Sequence, residues 1–218
     1  MGSGKTHLRY FIPSILYLKK DIKPTCIIDI GVGNGDFLFY CCNQLNLSKV
    51  VGIDLSKISI KVSNNKLKKK SKIKSKLICE NAENINIWYN KIKNFIRGQK
   101  VVITMWFLLH EISNGKTRTI INFLKEVKKK FPNSYILICE LNNVPYEVLA
   151  SNKEFSVIPE YLFFHDLSHQ GVLGWDETKM IIKKSGYSIK KKFLFDTINS
   201  TYIKRNYPST FALFLEPN

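Results

Sequence analysis

Three alternating glycines flanked by two carboxylates form the part of the sequence best suited to hold a ligand. They follow an apolar run, and glycine lets a backbone adopt positive φ and approach a ligand closely. Asp29, two residues before the turn, is placed to accept a hydrogen bond from a ligand ammonium group. Asp54 ends the next apolar run, where an acid can accept two ribose hydroxyls. We therefore predict a ligand that carries both groups, bound over a turn made by Gly31, Gly33 and Gly35.

Three of the four histidines lie in two short segments that also carry aromatic and acidic residues. His110 follows an apolar run and precedes Glu111, while His165 and His169 lie within residues 159–170. A histidine at the end of a strand can act as a general base, and neutral imidazoles can also hold a transition metal. The residue types leave both roles open for His110, and a purely structural role is the third alternative.

Short apolar runs rich in β-branched residues alternate with longer helical patterns, which is typical of a parallel sheet with crossover helices. We predict a Rossmann-like, doubly wound α/β fold with a seven-stranded, mainly parallel sheet and an antiparallel C-terminal strand. Ligands of such sheets bind at the carboxyl ends of the strands. The predicted strands are 25–30, 49–54, 77–80, 100–106, 134–141, 188–195 and 210–216, and the predicted helices are 35–45, 58–69, 116–130 and 177–185.

The length of 218 residues predicts one domain that needs no disulfide or metal to complete its core. Within it we expect a short helical segment over residues 1–24 and a substrate-covering insertion over residues 142–175. The five cysteines are odd in number and lack CxxC spacing, which disfavours a disulfide framework or zinc knot. No apolar run is long enough for a membrane span, and no signal peptide is apparent, so a cytoplasmic location is expected.

The net charge of +17 would ordinarily suggest a nucleic-acid partner. Lysine is nevertheless spread along the whole chain beside many Ile and Asn residues, as a compositionally AT-biased genome would produce. The densest lysine run, residues 66–76, falls in a predicted connection between strands and is interpreted as solvated surface. Nucleic acid is therefore not the expected partner, although an RNA methyltransferase that uses this run to bind RNA stays an alternative.

The D-x-G-x-G-x-G order from Asp29 to Gly35, with Asp54 ending the second strand, resembles class I S-adenosylmethionine-dependent methyltransferases. An NAD-binding Rossmann domain is the alternative, but its G-x-G-x-x-G fingerprint places the third glycine one residue later. The resemblance implies S-adenosylmethionine as cofactor, with Asn81 or Ala82 facing the adenine amino group. The full set of expected cofactor contacts is Asp29, Gly31, Gly33, Gly35, Asp54, Leu55, Asn81, Ala82, Met105 and Trp106.

The end of the fourth strand lacks the Pro-Pro-aromatic motif of adenine amino-methylating enzymes, and the chain has no Pro-Cys pair for cytosine C5 chemistry. Segments 106–111 and 159–170 instead resemble enzymes that methylate the carbon beside the keto group of 2-oxo acids, including 2-ketoarginine and phenylpyruvate methyltransferases, and metal-dependent methyltransferase domains of natural-product assembly lines. This resemblance implies one iron or manganese ion, with Asp166 or Glu111 orienting an imidazole. The implied ligands are His110, His165, His169 and Gln170.

The expected function is methyl transfer from S-adenosylmethionine to a small molecule, with carbon 3 of a 2-oxo acid as a candidate acceptor and His110 and Glu111 as catalytic residues. A metal-free O-methyltransferase with His110 as its base is an alternative. Another is a cofactor-binding partner subunit without activity of its own, because few residues precede the first strand. A homodimer or a partner chain would then complete the pocket.

Overall fold

The computed structural model describes residues 8–68, 72–112, 116–145, 147–148, 163–165, 167, 171–200 and 205–218, with the backbone alone for 196–200 and 205–206. The described helices are α1 (Leu8–Tyr17), α2 (Asp36–Gln44), α3 (Lys57–Leu67), α4 (Ile85–Ile92), α5 (Thr117–Lys130) and α6 (Trp175–Lys184). The strands are β1 (Cys26–Ile30), β2 (Lys49–Asp54), β3 (Lys74–Cys79), β4 (Val101–Trp106), β5 (Tyr135–Leu141), β6 (Tyr187–Ser200) and β7 (Arg205–Pro217). A π-helical turn, Leu18–Ile22, joins α1 to the approach to β1.

The seven strands form one sheet in the order β3-β2-β1-β4-β5-β7-β6. Strands β1 to β5 pair in parallel, whereas β7 runs antiparallel to both β5 and β6. The order reverses between β1 and β4, which is the switch point where ligands of doubly wound sheets bind. The predicted fold class is confirmed.

Side chains on the two faces of the sheet form separate cores. Alternate residues of the central strands, such as Ile28 and Ile103, point to a core shared with α4, α5 and α6. Their neighbours, such as Ile27 and Val102, pack against α1 and α2. Strands buried on both faces read as continuous apolar runs, which explains why β1, β4 and β5 were easy to predict.

Three elements differ from the prediction. Strand β3 begins at Lys74, three residues earlier than expected, so the lysine run starts in α3 and ends in β3 and is not wholly a connection. Helix α4 was not predicted, and the β6–β7 hairpin is longer than expected. Most of the predicted insertion over 142–175 lies outside the described residues. Within the described part of the chain, no helix is long and apolar enough to cross a membrane.

Candidate active site

The glycine turn joins β1 to α2 with its backbone in the left-handed region. Gly35 precedes α2 at φ 72°, and a Cβ there would lie 2.8 Å from Ser63 Oγ, so only glycine fits against α3. Gly33 has φ 51°, but a Cβ there would meet no atom within 4 Å among the described residues. The turn is therefore packed against α3 at Gly35, whereas the space next to Gly33 is free for a ligand.

Asp54, at the end of β2, fixes this turn. Its Oδ2 accepts a hydrogen bond from the Gly33 N–H at 2.8 Å, and its Oδ1 accepts one from the Ser56 N–H at 2.8 Å. Each carboxylate oxygen has a second lone pair. The side chain can therefore hold the turn and still accept two hydroxyls from a ligand.

Asp29 is buried in β1 and accepts a hydrogen bond from Thr104 Oγ1 of β4 at 2.6 Å. Burial raises the pKa of this carboxyl to about 8; the Thr104 hydrogen bond opposes the rise and the charge of Asp54 adds to it. A nearby cation would favour the ionised form. Asp29 is thus suited to the predicted ammonium contact, although Thr104 was not anticipated as its partner.

The predicted adenine-side residues follow β2 and β3. Leu55 is 72% exposed, so its side chain is available to cover a flat ligand. The loop after β3 is held by Glu80, which accepts hydrogen bonds from the Asn81 N–H at 3.1 Å and from Asn84 Nδ2 at 2.9 Å. Trp88 Nε1 of α4 donates to the Ala82 carbonyl at 2.9 Å, which ties the same loop to the core.

The end of β4 turns sharply at Phe107, whose φ of 53° is unusual for a bulky residue and costs free energy. Met105 is wholly buried in β4 between β1 and β5, so its predicted cofactor contact stays a prediction. Trp106 packs edge-on against Phe11, with ring centroids 4.7 Å apart, and tilted against Phe37 at 4.6 Å. Its buried Nε1 has no acceptor among the described residues, so it is a donor that a ligand could use.

The turn at Phe107 places His110 next to Glu140, at the end of β5. His110 Nδ1 lies 2.8 Å from Glu140 Oε2, and Glu140 Oε1 accepts the Leu109 N–H at 2.6 Å. Both side chains are about 97% buried. Glu111, which we predicted to be catalytic, is exposed, and the carboxylate bonded to Nδ1 belongs to Glu140 instead.

Two opposing effects set the pKa of His110. Burial lowers it, but the hydrogen bond and charge of Glu140, with a smaller contribution from Glu111, outweigh burial and raise the pKa above its ordinary value. Glu140 was missed in the sequence. The available signal was an acid at the end of an apolar strand, the same pattern that identified Asp54.

Of the four predicted metal ligands, His110 and His165 lie within the described residues. The rings of His110 and His165 meet edge-on with centroids 5.0 Å apart, so the fold brings together two residues separated by 55 positions. His169 and Gln170 lie outside the described residues, as does Asp166. Among the residues that the structure describes, no group of three or more His, Cys, Asp or Glu side chains could hold a metal ion.

Comparison with known proteins agrees with this geometry. Residues 27–130 match the family model described as a methyltransferase domain, and no curated protein matches the sequence. The mitomycin 7-O-methyltransferase MmcR superposes with a TM-score of 0.65 at 10% identity, over 98% of this chain and 54% of that one. The chain therefore spans about half the length of MmcR.

Two further structures cover the chain almost completely. A SAM-dependent methyltransferase from Archaeoglobus fulgidus has a TM-score of 0.65 at 16% identity, over 99% of this chain and 95% of that one. The plantazolicin methyltransferase BpumL has a TM-score of 0.58 at 20% identity, over 99% and 84%. The region similar to a methyltransferase domain contains the glycine turn, Asp54 and His110, and these solved structures share the fold of the chain.

Proposed function

We propose that the chain transfers the methyl group of S-adenosylmethionine to a small-molecule acceptor, with His110 as general base. The observation that carries the proposal is the buried His110–Glu140 pair, which stands at the same edge of the sheet as Asp54 and the Gly33 turn. Similar folds belong to enzymes named for mitomycin and plantazolicin, which supports a small acceptor.

The pair suits the chemistry of methyl transfer. The sulfonium of the cofactor makes the methyl carbon electrophilic, so the acceptor must lose a proton as it attacks, and the cofactor leaves as S-adenosylhomocysteine. With Nδ1–H donated to Glu140, the basic lone pair of His110 lies on Nε2. Glu140 thus fixes both the ring orientation and the tautomer, and His110 accepts the acceptor's proton.

For the cofactor we propose contacts from the atoms that the fold leaves available. The second lone pairs of Asp54 would accept the ribose hydroxyls, and Leu55 would cover the adenine beside Asn81 or Ala82. Asp29 would interact with the ammonium group. The buried Trp106 Nε1 would donate to the cofactor's carboxylate, because a buried donor without a partner destabilises the protein until a ligand satisfies it.

The replacement of His110 by Asn tests the proposed base. An Asn side chain places an N–H donor close to the position of Nδ1, so the Glu140 contact is kept while the base is removed. We expect kcat to fall about 100-fold to 10,000-fold across any accepted substrate, with unchanged affinity for S-adenosylhomocysteine. Full activity in His110→Asn would sink the catalytic assignment, and a wild-type chain that fails to bind S-adenosylhomocysteine would sink the proposed function itself.

A second candidate is methylation of carbon 3 of a 2-oxo acid with the help of iron or manganese. It is favoured by the pairing of the His110 and His165 rings, since imidazoles are good ligands for such ions. His110 and His165 would hold the metal, with His169 and Gln170 as the other proposed ligands. When bound, such an ion stabilises enolate charge on a chelated 2-oxo acid.

Hydrogen exchange separates the two candidates. Phenylpyruvate in D₂O, with protein and S-adenosylhomocysteine, should lose its carbon 3 protons faster than without protein if the second candidate holds. Elemental analysis of chelator-free protein should then give about one equivalent of iron or manganese, and His165→Ala should lose it. If the carbon 3 protons exchange at the uncatalysed rate and no metal is bound, the second candidate is rejected and the metal-free mechanism with His110 as base is kept.

A further inference from the structure

A cleft of about 420 Å³ is not used by the proposed chemistry. It lies between the loop after β5, the start of α6 and the β6–β7 hairpin. Its lining combines aromatic and apolar side chains with the charged residues Asp176, Glu177 and Lys192. The side chains that define its character are those of Asn142, Trp175, Leu194 and Tyr207.

Asn142 contributes a buried hydrogen-bond acceptor to this cleft. The residue is 1% exposed, its backbone N–H donates to the Ser209 carbonyl at 2.9 Å, and its Nδ2 donates to the Pro208 carbonyl at 2.8 Å. The Pro208 carbonyl can only accept, so the amide orientation is fixed and Oδ1 is the remaining atom. Within the described part of the chain, Oδ1 has no donor. Such an atom calls for a ligand or another specific explanation.

The position of Asn142 places the cleft near the His110–Glu140 pair. Asn142 follows Glu140 by two residues and continues the pairing of β5 with β7, so both side chains lie on the same sheet face, about 7 Å apart along the strand. Trp175 lies on this face as well, with its ring centroid 5.1 Å from that of Phe211, the residue paired with Glu140. A molecule whose reacting atom sits at His110 can therefore extend into the cleft.

The character of the walls defines what would fit. Trp175 and Tyr207 are half-buried aromatic residues and Leu194 is 42% exposed, so an apolar ring or chain would be covered. Asn142 Oδ1 is a neutral acceptor, and a neutral donor satisfies it without burying an uncompensated charge. Of the two lining acids, Asp176 pairs with Lys179 at 2.6 Å and Glu177 accepts a hydrogen bond from Thr117 Oγ1.

We infer that the cleft binds the distal part of the methyl acceptor, which carries an apolar ring or chain and a neutral hydroxyl or N–H group that donates to Asn142 Oδ1. The inference rests on the proposed methyl transfer, because it assigns the cleft to the acceptor of that reaction. Asn142 is then a specificity-determining residue that touches the acceptor away from the reacting atom.

Two isosteric probes test this without any turnover. In ¹⁹F NMR titrations with saturating S-adenosylhomocysteine, wild-type protein should bind 4-fluorophenol about 10-fold more tightly than 4-fluorotoluene. The preference opposes hydrophobicity, because the methyl compound is the more apolar of the two. In Asn142→Leu the order should invert. Asn90→Leu makes the same change at an exposed position of α4 that does not line the cleft, and it should keep the wild-type order.

The outcomes are distinguishable. Equal or tighter binding of 4-fluorotoluene by wild-type protein overturns the inference, and so does an Asn142→Leu variant that keeps the wild-type preference. Because the first comparison uses wild-type protein alone, it stands even if Asn142→Leu does not fold. Bound S-adenosylhomocysteine with no phenol preference refutes the cleft assignment only, whereas failure to bind S-adenosylhomocysteine refutes the proposed function.

Discussion

The tautomer of His110 is set by the hydrogen bond between its Nδ1 and Glu140. In Glu140→Gln the amide carbonyl can still accept the Leu109 N–H, but the amide NH₂ now donates to Nδ1 and puts the ring proton on Nε2. We expect kcat to fall at least about 100-fold, because the wrong tautomer cannot accept a proton. Initial rates with the best substrate of an acceptor panel, run beside S-adenosylhomocysteine binding, would measure this.

The pH dependence separates positioning from a merely structural role. Because Glu140 raises the pKa of His110, the wild-type acidic limb of kcat/KM should lie above pH 6.5, and activity should rise as the ring loses its proton. Without the Glu140 carboxylate, burial still lowers the pKa and only the smaller effect of the Glu111 charge opposes it, so the limb of Glu140→Gln should move to lower pH. Glu140→Asp, which keeps the charge, should leave the limb near its wild-type position. Identical limbs in all three proteins would contradict the assignment.

The buried Asp29 carboxyl should lower the stability of the ligand-free protein at high pH and increase its affinity for the cofactor. Its pKa is raised to about 8 by burial, so folding takes up a proton between about pH 4 and pH 8, and stability falls as the pH rises through this window. Asp29→Asn removes this penalty. We expect the ligand-free variant at pH 8 to melt about 5 °C higher than wild type while binding S-adenosylhomocysteine at least about 10-fold more weakly. A lower Tm at pH 8 would show that the Asp29 carboxylate is stabilising.

At the residue scale, the sequence was informative where spacing along the chain carries the chemistry. Asp29, the glycines and Asp54 lie within 26 residues and lead into or follow strongly apolar strands. Glu140 stands 30 residues from His110, and only the parallel pairing of β4 with β5 brings the two together. Thr104 and Asp29 are likewise brought together by the pairing of β1 with β4, in which they are opposite each other. To predict Glu140 and Thr104 as partners, one needs the order of the strands in the sheet, and knowing that a sheet forms is not enough.

At the scale of elements, α1 supports the site from the other sheet face. Phe11 is 3% exposed and packs against Trp106 and Phe37, so Phe11→Ala should leave a cavity beside the end of β4. We expect it to lower the free energy of unfolding by about 3 kcal/mol and to weaken S-adenosylhomocysteine binding. Ile12→Ala, next in sequence but 53% exposed, should change stability by less than about 0.5 kcal/mol. Urea titrations of both would decide, and equal effects would refute this role for α1.

The elements that were misjudged share a physical cause. Strand β3 lies at the sheet edge, and its exposed Lys74 and Ser75 carry no apolar periodicity. Helix α4 has only eight residues and buries three of them, which is too short a pattern to distinguish from a loop. By contrast α5 buries Ile120, Phe123, Leu124 and Val127 on one stripe and was predicted to within a residue. Whether such short or edge segments form a strand or a helix depends on burial against neighbouring elements, which cannot be read from the sequence alone.

Many lysines of the described part of the chain lie at one end of the sheet. Lysines begin β2 and β3 and occupy the last turns of α3, α4, α5 and α6, all at the amino edge. Asp54 and Glu140, near the ends of β2 and β5, lie at the opposite edge with the site. Helix dipoles favour lysine in last turns and account for part of this pattern. The basic edge is thus about 20 Å, one strand length, from the cofactor cradle.

This separation predicts that RNA will bind without being methylated. Oligouridylate should associate at low salt through the lysines of the amino edge, and its affinity should fall steeply as salt rises. Lys183→Glu with Lys184→Glu, both exposed at the end of α6, should lower the salt slope by about one or two units and leave S-adenosylhomocysteine binding unchanged. RNA should not compete with S-adenosylhomocysteine, because the two sites lie at opposite edges. Transfer of label from methyl-labelled cofactor into RNA would contradict this and favour RNA as the acceptor.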